Sequence, residues 1–108
     1  MIEKVMSFTV GSDEKQIDKI LNDGNAMINR FVLPQGTGIP AHNSNSNVYM
    51  IIVRGTLSLT LGNEKMRSYT AGHLLSIPYD VPMVVRNEDV PTLEMFVVKA
   101  PSPDNYKG

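Results

Sequence analysis

The chain has 108 residues and a formal net charge of −1, with 42% hydrophobic residues, 19% charged residues and no cysteine. That length and balance fit one small globular domain, 1–108. They exclude disulfide and thiolate chemistry, and the scattered basic residues make no electrostatic case for nucleic acid or a membrane surface.

In chain order, Glu3 to Val10 reads as a first strand, with Met6 and Phe8 on one face and Val5 and Ser7 on the other. Gly11-Ser12-Asp13 breaks it. Ile17, Ile20 and Leu21 have helical spacing, and Asp13 with Gln16 offers a capping box. The alternative is a strand turning at Asn22-Asp23-Gly24-Asn25, which is preferred because the stretch after it, Ala26 to Leu33, is strand-like. There Met27, Phe31 and Leu33 share a side.

Pro34 to Pro40 is rich in turn residues, and Asn43 to Asn47 is polar, hence loop or sheet edge. Val48 to Val53 is a continuous apolar run, the pattern of a strand buried on both faces. Gly55 ends it. Thr56 to Leu61 alternates cleanly, with Leu57, Leu59 and Leu61 one way and Thr56, Ser58 and Thr60 the other. Further strands are expected at Met66–Thr70, Leu74–Ile77, Met83–Arg86 and Leu93–Lys99, and residues 100–108 form a loose tail or one laid along the surface. Many short strands punctuated by Gly and Pro predict an all-β sandwich or barrel.

Two blocks carry a family resemblance. The first runs from Gly36 to Gly55 with His42 inside it; the second contains Gly72, Ile77-Pro78 and a closing Asn87. They resemble the paired motifs of the cupin superfamily, in the manner of a small single-domain cupin. The resemblance implies a cupin-like jelly-roll β-barrel, the double-stranded β-helix. It also implies four metal-ligand positions. His42 stands at the first; the others hold Ser44, Val48 (or Asn47 in the alternative register) and Met83. A lone imidazole does not hold a transition ion well.

The expected function is therefore small-molecule binding in the barrel, with no cofactor, no metal and no strong catalysis. His42, Ser44 and Asn47 would offer polar contacts at the mouth, over a floor of Val48, Met50 and Met83. Against this, His42 reads equally as a leftover hydrogen-bonding residue, and the methionines as plain core rather than an adaptable pocket. His73 reads as a turn residue. No acid pair or nucleophile triad is legible. Two alternatives stay open: a dioxygenase or isomerase with an altered ligand set, and a structural barrel with no ligand. A homodimer is expected, built through the first strand. The N-terminus lacks the apolar core of a signal peptide and no apolar run reaches membrane-spanning length, so the expected location is cytoplasmic.

Overall fold

Period-two alternation dominates the chain, and a computed structural model, describing residues 1–107, resolves it into ten strands. They are β1 (Gln16–Asn22), β2 (Met27–Leu33), β3 (Thr37–Gly38), β4 (His42–Asn43), β5 (Val48–Arg54), β6 (Thr56–Leu61), β7 (Arg67–Thr70), β8 (Leu74–Ile77), β9 (Pro82–Asn87) and β10 (Leu93–Lys99). A single 3-10 turn, Pro103–Asn105, follows. The hairpin reading of Ile17 to Leu33 holds: β1 and β2 pair antiparallel around Asp23, whose carboxylate accepts from the amides of Asn25 and Ala26.

The strands form two antiparallel sheets facing each other. One has the order β1-β2-β10-β5-β8; the other has β3-β9-β6-β7, with β4 also on β9. β3 and β4 are two pieces of one edge, pairing opposite ends of β9 on either side of Ile39-Pro40-Ala41, where Pro40 has no amide hydrogen to give a ladder. Between β5 and β6 the chain passes from the first sheet to the second through a single residue, Gly55. Its φ is +78°, and a Cβ there would strike the backbone of Thr92 and Leu93, so only glycine fits.

Between the sheets the inward phases meet. Phe31, Leu33, Val48, Met50, Ile52, Ile77, Leu93, Met95 and Val97 come from one side, and Leu57, Leu59, Met83 and Val85 from the other. Asn87 closes one end. Its Nδ2 donates to the carbonyls of Leu33 (2.9 Å) and Pro91 (2.8 Å), and its Oδ1 accepts from the Asp89 amide. That explains an asparagine at the end of the second block.

Two expectations change. Glu3 to Val10 is no strand: it finds no sheet edge to pair with and runs as an extended arm over the outer face of the first sheet. Phe8 meets Phe96 edge-on at 5.4 Å, and the Arg30 guanidinium lies 5.6 Å from the Phe8 ring. Val48 to Val53 is buried on one face only, because the arm leaves part of the outer face open; Val53 is 47% exposed. Of the two readings of the tail, loose or laid along the surface, the second holds, and it is tied down there. Buried Ser102 donates to Asn22 Oδ1 at 2.7 Å, and its amide donates to the Gly24 carbonyl. Gly108 lies outside the described residues.

The arm also helps seal a buried cation. Arg30 is fully buried on the outer face, bonded to Asp18 (3.1 Å) and Glu94 (2.7 Å), with Nη2 unpartnered. Removing the cation alone leaves the two partly buried carboxylates of Asp18 and Glu94 uncompensated, which costs more than replacing the whole set by apolar residues. Arg30→Met, which keeps the bulk but leaves both carboxylates without their counter-ion, should therefore lose about 3 kcal/mol in urea unfolding, and Arg30→Ala, which also opens a cavity, should lose more.

Candidate functional site

The five positions from Asn43 to Asn47 were the most suggestive polar run, and the fold uses most of them as fasteners. Ser44 is buried; its Oγ donates to the Pro78 carbonyl (2.6 Å) and accepts from the Val81 amide (2.8 Å), which fixes the turn before β9. Asn43 reaches Asp80 at 2.9 Å. Buried Ser46 donates to the Pro101 carbonyl, and Asn47 donates to the Ala100 carbonyl. Ser44 thus stands away from water, not at a wet mouth, because the turn from Pro78 to Val81 needs its hydroxyl as both donor and acceptor.

His42 lies on β4 opposite Met83 and is exposed. Its Nδ1 sits 2.9 Å from the Pro40 carbonyl. A carbonyl only accepts, so Nδ1 carries a hydrogen, and in the neutral ring Nε2 is the acceptor. His42 and Met83 share a cleft of about 180 Å³ with Ala41, Asn43, Thr60, Gly62, Pro82 and Val84. Val48 and Met50 do not join them; they are at most 1% exposed and packed in the core. The structure therefore brings together two of the six sequence-derived site residues in a cleft and places the other four in packing or in loop fasteners. His73 is exposed and directly follows the turn at Ala71-Gly72, bonded to the Thr70 carbonyl.

The family resemblance implies a metal between the sheets, and the residues present do not fit one. Of the four ligand positions, one is an exposed imidazole, one a hydroxyl already engaged twice, one an isopropyl group and one a thioether. Among the described residues no three His, Asp or Glu side chains converge.

A larger cleft, of about 480 Å³, opens where β1, β2 and β10 end, lined by Lys19, Ile20, Leu21, Asn22, Met27, Asn29 and Lys99. Lys19 and Asn29 are direct partners across the β1–β2 ladder, and Lys99 pairs with Met27 across β2–β10. Asn29 is buried with its Oδ1 unpartnered. Burial lowers the Lys99 pKa from the ordinary lysine value. Sequence reasoning missed this group. The available signal was Asn29 itself, a polar residue in the inward phase of Met27, Phe31 and Leu33.

No family model matches the sequence. The uncharacterized protein MJ0764 of Methanocaldococcus jannaschii is 41% identical over 103 residues, covering 95% of this chain and 89% of that protein. Its crystal structure, described as an RmlC-like cupin family protein with a double-stranded β-helix fold, superposes with a TM-score of 0.94 at 40% identity over 96% of this chain and 95% of that one. A cupin superfamily protein from Desulfitobacterium hafniense has a TM-score of 0.73 at 10% identity, covering 86% of this chain and 83% of its own. A Cupin 2 conserved barrel domain protein from Salinispora arenicola has 0.69 at 15% identity, covering 81% and 76%. The last two likenesses show the fold alone.

Met83 is 2% exposed and Ser44 likewise. Met83→Glu should prevent stable folding or cost more than about 3 kcal/mol, since a carboxylate there is taken out of water with only the exposed His42 imidazole beside it. Ser44→Ala, which orphans the Val81 amide, should cost about 2 kcal/mol. Thermal unfolding of the two variants side by side checks the order.

Proposed function

Since this chain belongs to the RmlC-like cupin family, we propose that it is a small-molecule-binding cupin domain that needs no transition metal and performs no strong catalysis. The observation that carries the reading is the cleft of about 480 Å³ at the end of the first sheet, large enough for a small organic ligand and walled by both apolar and polar side chains. The ligand sits at that rim rather than between the sheets, where Val48 and Met50 fill the space. His42, beside Met83, offers a second, smaller contact point through its free Nε2. The replaced donors at positions 44, 48 and 83 support binding without a metal.

The filled interior favours a second reading, a structural barrel with no ligand. A thermal-shift screen of uncharged, acidic and basic metabolite-sized compounds separates the two. A binder raises the melting temperature by mass action; a screen with no hit leaves the structural barrel. Elemental analysis of protein purified without chelator should find far less than one transition ion per chain. Near-stoichiometric iron, manganese, nickel or zinc that disappears in His42→Ala would instead make the protein a metal-dependent dioxygenase or isomerase. Among the described residues no helix is long and apolar enough to cross a membrane.

We also propose that the domain works as a homodimer. The arm carries Ile2, Val5 and Val10, each more than 70% exposed, and Ile17 on the edge strand β1 is 46% exposed. A second copy covering them would add burial that a domain of this size lacks. Light scattering should give twice the chain mass; a clean monomer mass at working concentration would remove the dimer.

A further inference from the structure

We propose that the cleft at the end of β1, β2 and β10 is a binding site for a small organic carboxylate that also carries a hydroxyl group, with Lys19 and Lys99 holding the acid group and Asn29 the hydroxyl. The inference rests on the ligand-binding reading above and names the ligand class.

Charge comes first. Lys19 and Lys99 line one cleft, and no Asp or Glu lines it with them. Neither lysine makes an ion pair among the described residues, whereas five of the chain's acidic residues pair with arginines. The acids on the same strands are engaged elsewhere, Asp18 and Glu94 both with Arg30, and Asp104 of the 3-10 turn accepts from Asn22 Nδ2 at 3.0 Å. Two unneutralised ammonium groups at the rim of a half-open cleft favour an anion. Burial disfavours the charged form of Lys99, and an anion beside it would reverse that penalty.

The second observation is Asn29. It is 7% exposed, lines the cleft, and its Oδ1 has no hydrogen-bond partner. A buried acceptor without a donor is costly, and a turn of the Asn29 amide that brings Oδ1 to the cleft lets a ligand hydroxyl supply the missing donor. The third wall is apolar, from Ile20, Leu21 and Met27, and suits a short carbon skeleton. Asn22 adds no specificity, since its Oδ1 accepts from Ser102 and its Nδ2 donates to Asp104.

The test is an amide-resolved NMR titration of the full chain with glycerate, alongside glycerol and sodium chloride at matched concentration. Saturable shifts confined to the ends of β1, β2 and β10 are expected with glycerate alone. Lys99→Met and Lys19→Met should each weaken binding about tenfold, and Asn29→Leu should remove the preference for glycerate over propionate while leaving both bound. Lys99→Met loses a half-buried charge and keeps the side-chain bulk, so it should fold; its spectrum without ligand checks this. Shifts that follow sodium chloride equally, or that persist unchanged in the Lys19→Met/Lys99→Met double variant, would overturn the proposal. If glycerate and propionate give no shift while an uncharged or basic compound from the thermal-shift screen moves the same amides, the anion assignment fails and ligand binding stands. If nothing moves them, both fall.

Discussion

The interior of this barrel is full, and that constraint governs everything else in the molecule. Leu33, Val48, Met50, Ile52, Leu57, Met95 and Val85 are each at most 1% exposed and interdigitate between two sheets. Protein cores pack to crystal density, so a space so occupied admits neither an ion nor a ligand without displacing side chains. At the positions where the family resemblance implies polar donors, Val48 and Met83 contribute apolar surface to that packing. The consequence is spatial. Open volume is displaced to the rims, to the small cleft at His42 and the larger one at Lys19, Asn29 and Lys99.

The outer face of the first sheet obeys a different rule. Arg30 points away from the core yet is fully buried, held by Asp18 and Glu94 and covered by Phe8 from the arm. The same arm ends at Asp13, which bonds Arg54 at 2.6 Å, and Arg54 in turn lies 3.4 Å from Glu94. The guanidinium of Arg54 holds the Asp13 carboxyl below its usual pKa, an exposed contact that fastens the arm more than it stabilises the fold. A chain of alternating charges therefore runs from the arm to the sheet, and it explains how residues with no ladder of their own stay in place. The apolar side chains the arm leaves uncovered are the surface a second copy would meet.

Polar residues in the loops divide into two kinds. Ser44, Ser46, Asn47, Asn87 and Ser102 spend their hydrogen-bonding groups on backbone carbonyls and amides or on another side chain, and so hold the loops against the sheets. Asn29 does not: its acceptor is buried and unspent. This difference separates a fastener from a contact point better than residue type does, because a serine at a motif position and a serine in a turn look alike until their partners are known.

The sequence by itself determined the architecture. Period-two alternation at Thr56 to Leu61 and Leu93 to Lys99, the Asn22 to Asn25 turn, and glycines at 36, 55 and 72 are local signals, written into neighbouring residues, and the paired motif blocks closing at Asn87 added the family. It also showed the loss of metal donors at 44, 48 and 83, which is a matter of residue identity. Tertiary structure alone decided what each polar residue does. Ser44 became a fastener because residues 78–81 fold onto it from more than thirty positions away, Glu3 to Val10 became an arm because no edge was left to pair it, and Lys19, Asn29 and Lys99 became neighbours because β1 and β10 flank β2. Such partnerships depend on which strands lie side by side, and alternation within a strand carries no information about its neighbour.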